Sequence, residues 1–485
     1  MSDIPAPGPM SAQSADAAAP KTKPVRRHGG KRLTEGDVKR TILSLAGFMM
    51  LGSLATMTFQ LADAYFVAQL GTGPLAALAF TFPVVMILHA IALGLGTGVT
   101  SVVARAYGHG DMPSARVLTS DSILLACVIA LFFAVAGKLS IHPLFQLLGA
   151  KEDILLLVES YMNVWFFGMP FMVVPLIANA VIRAFGDAKA PSLIMAISAV
   201  INIILDPILI FGAFGIPQLG LMGAAIALLL ARAFTFVASV FVLHYRMHAL
   251  TYELPSLSRL KSSWGDLLHI GLPATGTQMI TPFSSAILTS LIASFGAASI
   301  AAYGISTRIE MFSMIFVMGM SISIAPFVGQ NAGAGRVDRV KEAMSFAHKA
   351  TLVYGIAIAV LLFTAGRWIA GEFSDSPDVV SVAAFYLATV PISYGCMGII
   401  NTSSSCLNAL AKPMPAMVIG MSKTLVLQIP FAYAGSYFFG IRGVFMGMAA
   451  TTFVVAGIAL FLVRRALNQP MTVGLGRRPG SATPS

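Results

Sequence analysis

Asn202 and Asp206 stand four residues apart in the apolar stretch Ala199–Ile210, so on a helix they stack along one face. A carboxamide and a carboxylate at that spacing can coordinate a cation or hold a proton. An ionised carboxylate inside a bilayer costs roughly 2.5–3.5 kcal/mol on insertion scales, and a chain that keeps one generally uses it. A second acid, Asp63, lies in the first hydrophobic segment. Two carboxylates sharing a low-dielectric pocket cannot both stay ionised, so the stable states hold a proton or a metal cation. An ion-coupled carrier requires such a site.

The elements that must position these residues are membrane spans. Of the 485 residues, 57% are hydrophobic and only 11% charged, against about 25% charged in a soluble domain. Twelve segments of spanning length can be drawn, near 41–69, 74–104, 117–142, 154–182, 191–213, 220–245, 266–294, 298–329, 345–370, 379–409, 413–437 and 441–463. With both termini inside, only Lys138, Lys151, Arg367 and Arg442 fall on the outer side. The net charge of +11 is therefore a topology signal rather than a nucleic-acid footprint. It predicts a multi-pass protein of a bacterial-type cytoplasmic membrane with both termini in the cytoplasm. Cys127, Cys396 and Cys406 lie in apolar segments without metal-ligand spacing, which excludes a zinc site and a disulfide framework.

Expected organisation follows the charge pattern. Residues 1–33 read as a disordered basic tail, 34–245 as a first six-helix bundle, 246–265 as a cytoplasmic linker loop, 266–466 as a second bundle and 467–485 as a cytoplasmic tail. The two bundles look duplicated. Gly71–Ala79 is matched by Gly296–Gly304, and Arg105–Gly110 by Gln330–Gly335, each 225 positions on; Ala188-Lys189 is matched by Ala411-Lys412 at 223. Six spans per half make this a parallel repeat, with a pseudo-two-fold axis along the membrane normal and a central cleft. In that register Asp63 falls on Leu288, Asn202 on Leu425 and Asp206 on Ile429. The acids belong to one half only.

Ala62-Asp63 with Phe66–Gly71, Gly186–Lys189, the Asn202/Asp206-Pro207 pair and Gly329–Gly335 together resemble the multidrug and toxic compound extrusion (MATE) family, over about residues 40–465. The pattern is similar to the DinF-like branch, which implies a cation or proton site at Asp63, Asn202 and Asp206. The acid that another branch carries about ten residues after Gly271-Leu272-Pro273 is replaced by Thr281, and Asp378 is the last acid of the chain. Leu228 stands where the branch often has a hydroxyl ligand, and Phe48 where a proline usually bends helix 1. The loss of an oxygen at Leu228 favours proton over sodium coupling.

Further polar residues within the spans are candidates to line the cleft: Gln60, His89, Glu159, Asn163, Asn179, Gln278, Arg308, Glu310 and Lys423. The resemblance implies a monomeric antiporter that exports small amphiphilic, often cationic compounds against H+ or Na+, with no cofactor and no partner beyond substrate and lipid. A lipid-linked oligosaccharide flippase would need more intramembrane cations than Arg308 and Lys423. A membrane-embedded enzyme would need a catalytic constellation that the chain does not show.

Overall fold

The computed structural model describes residues 32–469, apart from 214 and 252. The predicted tails at 1–31 and 470–485 lie outside the described residues. Within them the chain is helical, because a backbone crossing lipid must satisfy its polar groups internally. The helices are α1 (Val38–Ala68), α2 (Thr72–His109), α3 (Met112–Leu147), α4 (Glu152–Phe167), α5 (Met169–Ala184), α6 (Lys189–Phe211), α7 (Leu221–Phe241) and α8 (Leu257–Ala293). The second half continues with α9 (Ala297–Ser313), α10 (Ile315–Gly333), α11 (Val337–Gly371), α12 (Pro377–Thr389), α13 (Tyr394–Ala409), α14 (Pro413–Met421) and α15 (Gln428–Asn468).

Among the described residues, nine helical stretches are long and apolar enough to cross a membrane, and α4 with α5, bent by 46°, form a tenth. The stretch Pro413–Asn468 holds two spans, because α15 breaks at Phe439 and Gly440. The less apolar α8 completes the expected twelve. The architecture is two bundles of six spans.

Backbone geometry repeats with the sequence. Gly71 and Gly296, 225 positions apart, open α2 and α9 with φ of 103° and 102°. Gly110 and Gly335, again 225 apart, follow α2 and α10 with φ of 89° and 70°. These are left-handed turns that a side chain disfavours. Gly186 and Ala411 also share positive φ, 87° and 55°. The structural register at that turn is therefore 225, not the 223 of the Ala188–Ala411 match.

The halves meet reciprocally. A Cβ added to Gly108 would strike the carbonyl of Gln330, and one added to Gly333 would strike that of Arg105. Gly94 is closed against Thr275, and its repeat mate Gly319 against Met50, the mate of Thr275. Gly329 lies against Ala104, its own mate, so the pseudo-two-fold axis passes between them. Small residues allow α2 and α10 this close approach.

The seam runs from mid-span to the side that carries both described chain ends. There Gln330 Nε2 donates to Ala184 O at 2.7 Å, Leu33 N donates to Gln330 Oε1 at 2.8 Å, and Ser101 Oγ donates to Asn408 O at 2.6 Å. Leu33, assigned to the tail, is in fact buried, held by the Gln330–Asn331 pair. All these contacts lie on one half of the membrane, so the lobes are closed on the terminus-bearing side.

The linker also differs from expectation. Ser256 accepts from Arg259 N at 3.3 Å and starts α8 at Leu257, so half of 246–265 is helix. Arg259 reaches Asp121 Oδ1 at 3.2 Å, and Trp264 Nε1 donates to Asp121 O at 3.0 Å, tying α8 to α3. Asp121 is 1% exposed, and removing one partner of a buried ion pair strands the other. Asp121→Ala is expected to destabilise the protein by about 3 kcal/mol, read as a lowered Tm in detergent. A second prediction concerns the seam. Gly333→Val should destabilise the closed arrangement by roughly 1–3 kcal/mol through overpacking, read as a lowered Tm in detergent.

Candidate functional site

In the first lobe α1 packs along α6. Asp63 sits five residues before the end of α1 and Asp206 five before the end of α6. Both therefore occupy the half of the membrane away from the interlobe seam. Asp206 is 0% exposed and Asn202 1%, while Asp63 is half-buried. Pro207 lies inside α6, and Asp187, at the other end, accepts from Lys189 N and Ala190 N at 2.9 and 3.0 Å. The Gly186–Lys189 motif thus starts the helix that carries the site.

Neither the amide atoms of Asn202 nor the two carboxylate oxygens of Asp206 have a hydrogen-bond partner. A buried polar group without a partner costs roughly 1–3 kcal/mol, more when charged. These four atoms lie one helical turn apart on one face of α6. The Asp63 carboxylate is within electrostatic reach of Asp206, so the two acids share one field as expected.

Two residues that the sequence reading passed over belong to the same cluster. Arg232 of α7 acts electrostatically on Asp63, and its guanidinium lies 5.5 Å from the centroid of the Trp165 ring. Tyr161 of α4, buried, feels Asp63, Asp206 and Arg232. A lone arginine in the middle of an apolar segment was the available signal for Arg232. Tyr161 gave none, because an aromatic in a span is ordinary packing. His89 of α2 is half-buried and also near Arg232.

The remaining candidates divide. Gln60, Gln278 and Arg308 are exposed. Glu159 does not stand free in the cleft: His142 Nδ1 lies 2.7 Å from its Oε1, joining α4 to α3. Asn163 Nδ2 donates to the Glu159 backbone at 2.8 Å. Asn179 is a packing residue, buried between α5 and α7, where Ser239 Oγ donates to its Oδ1 at 3.1 Å.

Glu310 and Lys423 lie within electrostatic reach of each other in the second lobe, which the sequence reading had left without an acid-centred site. Tyr386 Oη donates to Glu310 Oε2 at 2.5 Å, and Lys423 Nζ lies 2.8 Å from Met397 Sδ. Glu310 and Lys423 act on each other electrostatically.

Comparison with known proteins fits this frame. The MatE family model matches residues 49–208 and 273–434, one match in each lobe. The chain belongs to the MATE family. The FAD transporter of Shewanella oneidensis is 35% identical over 92% of this chain and 98% of its own length. The multidrug export protein MepA of Staphylococcus aureus is 26% identical over 86% of this chain and 91% of its own. Among solved structures, the MATE transporter VcmN of Vibrio cholerae in its bent form superposes with a TM-score of 0.84 at 30% identity, covering 89% and 97% of the two chains. MATE proteins are integral membrane transporters, not enzymes, and this chain is one.

The packing role of Asn179 can be separated from transport. Asn179→Ala should lose about 1 kcal/mol of stability, seen as a lower Tm, with the substrate KM unchanged.

Proposed function

We propose that this MATE transporter exports flat aromatic amphiphiles by alternating access, driven by proton entry at Asp63, Asn202 and Asp206. The observation that carries the reading is the unpartnered, fully buried Asp206 carboxylate with Asn202 beneath it. With the tails placed in the cytoplasm by the positive-inside bias, the closed seam is cytoplasmic and the acids lie toward the outside. That is the arrangement from which an exporter loads its coupling ion.

The cluster's charges favour a proton over sodium. Arg232 offsets one of the two carboxylates and repels a metal cation, while a proton can be taken up by a single carboxylate. Leu228 of α7 offers no oxygen to a sodium shell of about six ligands. Confinement of the unpaired acids to the first lobe supports assignment to the DinF-like branch. Protonation would then weaken substrate contacts by differential affinity between the two states.

Two substrate readings have specific support. The similarity to the FAD transporter, over nearly the whole of both chains, together with the intramembrane cations Arg232, Arg308 and Lys423, favours a flavin dinucleotide. The weaker similarity to MepA favours drug-like cations.

Proteoliposomes with independently imposed proton and sodium gradients test the reading, using FAD and a cationic dye as substrates. Wild-type protein is expected to move substrate with the proton gradient alone. Asp206→Asn should lower driven transport at least about 100-fold, as loss of an essential proton carrier would, with its Tm nearly intact. Driven transport at wild-type rate in that variant, or transport powered only by sodium, would refute the proposal.

A further inference from the structure

The second lobe concentrates its helix irregularities around Glu310. The α9–α10 span breaks at Met314, four residues on. A 3-10 turn, Val390–Ser393, separates α12, which carries Tyr386, from α13, which opens with Tyr394. A π-helical turn, Ser422–Leu427, carries Lys423 between α14 and α15. Irregular turns inside a span are tolerated where they line a cavity or serve a site.

The repeat deepens the contrast between lobes. Tyr161 and Tyr386 are 225 positions apart, so each lobe sets the same buried tyrosine beside a carboxylate. In the first lobe that carboxylate faces another acid. In the second it faces Lys423, whose mate at the 223 register is Val200.

Donors in the second cluster outrun their acceptors. Lys423 Nζ carries three protons, and the hydrogen bond found for it ends on the Met397 thioether, a weak acceptor. Tyr394 is 1% exposed, and its hydroxyl has no hydrogen-bond partner. It lies within electrostatic reach of Glu310, as Lys423 does. Glu310 takes its hydrogen bond from Tyr386 instead. Two strong donors without a proper acceptor, in the field of an acid whose hydrogen bond comes from Tyr386, suit a ligand that brings its own anionic oxygens.

We propose that Lys423 and Tyr394 seat the phosphate group of the substrate in the second lobe, Lys423 resting on the Met397 thioether in the field of Glu310 when the carrier is empty and on the phosphate when it is loaded. This inference rests on the flavin-dinucleotide reading of the substrate and names the residues that would select it. The two lobes then divide the work: the first takes the proton, the second takes the anionic end of the cargo. Substrate and proton meet different residues and compete through the conformation of the whole carrier.

The test uses purified full-length protein in proteoliposomes under a proton gradient, with FAD and riboflavin as paired cargo differing in phosphate. Lys423→Met is expected to lower the ratio of FAD to riboflavin transport about tenfold, the loss of one charge-assisted contact. Lys423→Arg should recover most of that ratio, and Tyr394→Phe should lower it a few-fold. A Lys423→Met protein that keeps the wild-type ratio would overturn the proposal, whether its total transport is normal or reduced. Inorganic pyrophosphate, added on the loading side during dye transport, separates this failure from failure of the flavin reading. Lys423-dependent inhibition by pyrophosphate in a protein that moves no flavin would support the phosphate seat and discard the flavin. No inhibition and no flavin transport would discard both.

Discussion

A carboxylate that no side chain satisfies, sealed between two helices in lipid, is the constraint on which the rest of this molecule depends. Water cannot solvate Asp206, and no neighbouring donor holds it. The same environment that makes the group expensive makes it a sensitive reporter of protonation, because a low dielectric strengthens every nearby charge. Asp63 and Arg232 supply those charges.

Around this site the fold is symmetric at the seam between the lobes and asymmetric in its charged clusters. The seam between the lobes is made of repeat-related contacts, Gly108 on Gln330 and Gly333 on Arg105, with Ala104 and Gly329 meeting across the axis. A reciprocal interface lets one lobe rock against the other without either side gaining a unique lock. The chemistry breaks the symmetry. Asn202 and Asp206 on α6 fall on Leu425 and Ile429 at the 223 register and on Leu427 and Phe431 at 225, while Lys423 falls on Val200 or Ser198, none of them charged. The two lobes thus differ: one holds Asp63 and Asp206 in a shared field, the other an acid and an ammonium within electrostatic reach.

Much of this was legible in the sequence. The spans were, because lipid demands about twenty apolar residues and loops are marked by charge. The repeat was also legible, because turns that need glycine at positive φ recur at a constant offset. Asp63, Asn202 and Asp206 stood out as polar residues in apolar runs. What a linear reading could not supply was partnership. His142 removes Glu159 from the cleft and Ser239 removes Asn179. Arg232 and Tyr161 join the acids only through the packing of α4 and α7 within the first lobe. Glu310 and Lys423, 113 positions apart, come within electrostatic reach of each other only when three broken spans converge. The start of α8 was missed for a local reason, since Ser256 and the Arg259–Asp121 pair stabilise helix in a polar stretch that reads as loop.

The central claim is that substrate and proton exclude one another through Asp206, and proton release on substrate binding measures it most directly. Purified protein in weakly buffered detergent solution, with a pH-sensitive dye, reports protons displaced per substrate molecule bound. The account predicts about one proton released by the wild type and none by Asp206→Asn, the linkage expected when substrate binding favours the conformation in which Asp206 is deprotonated. Equal release by both proteins, or substrate binding without any release in the wild type, would contradict it.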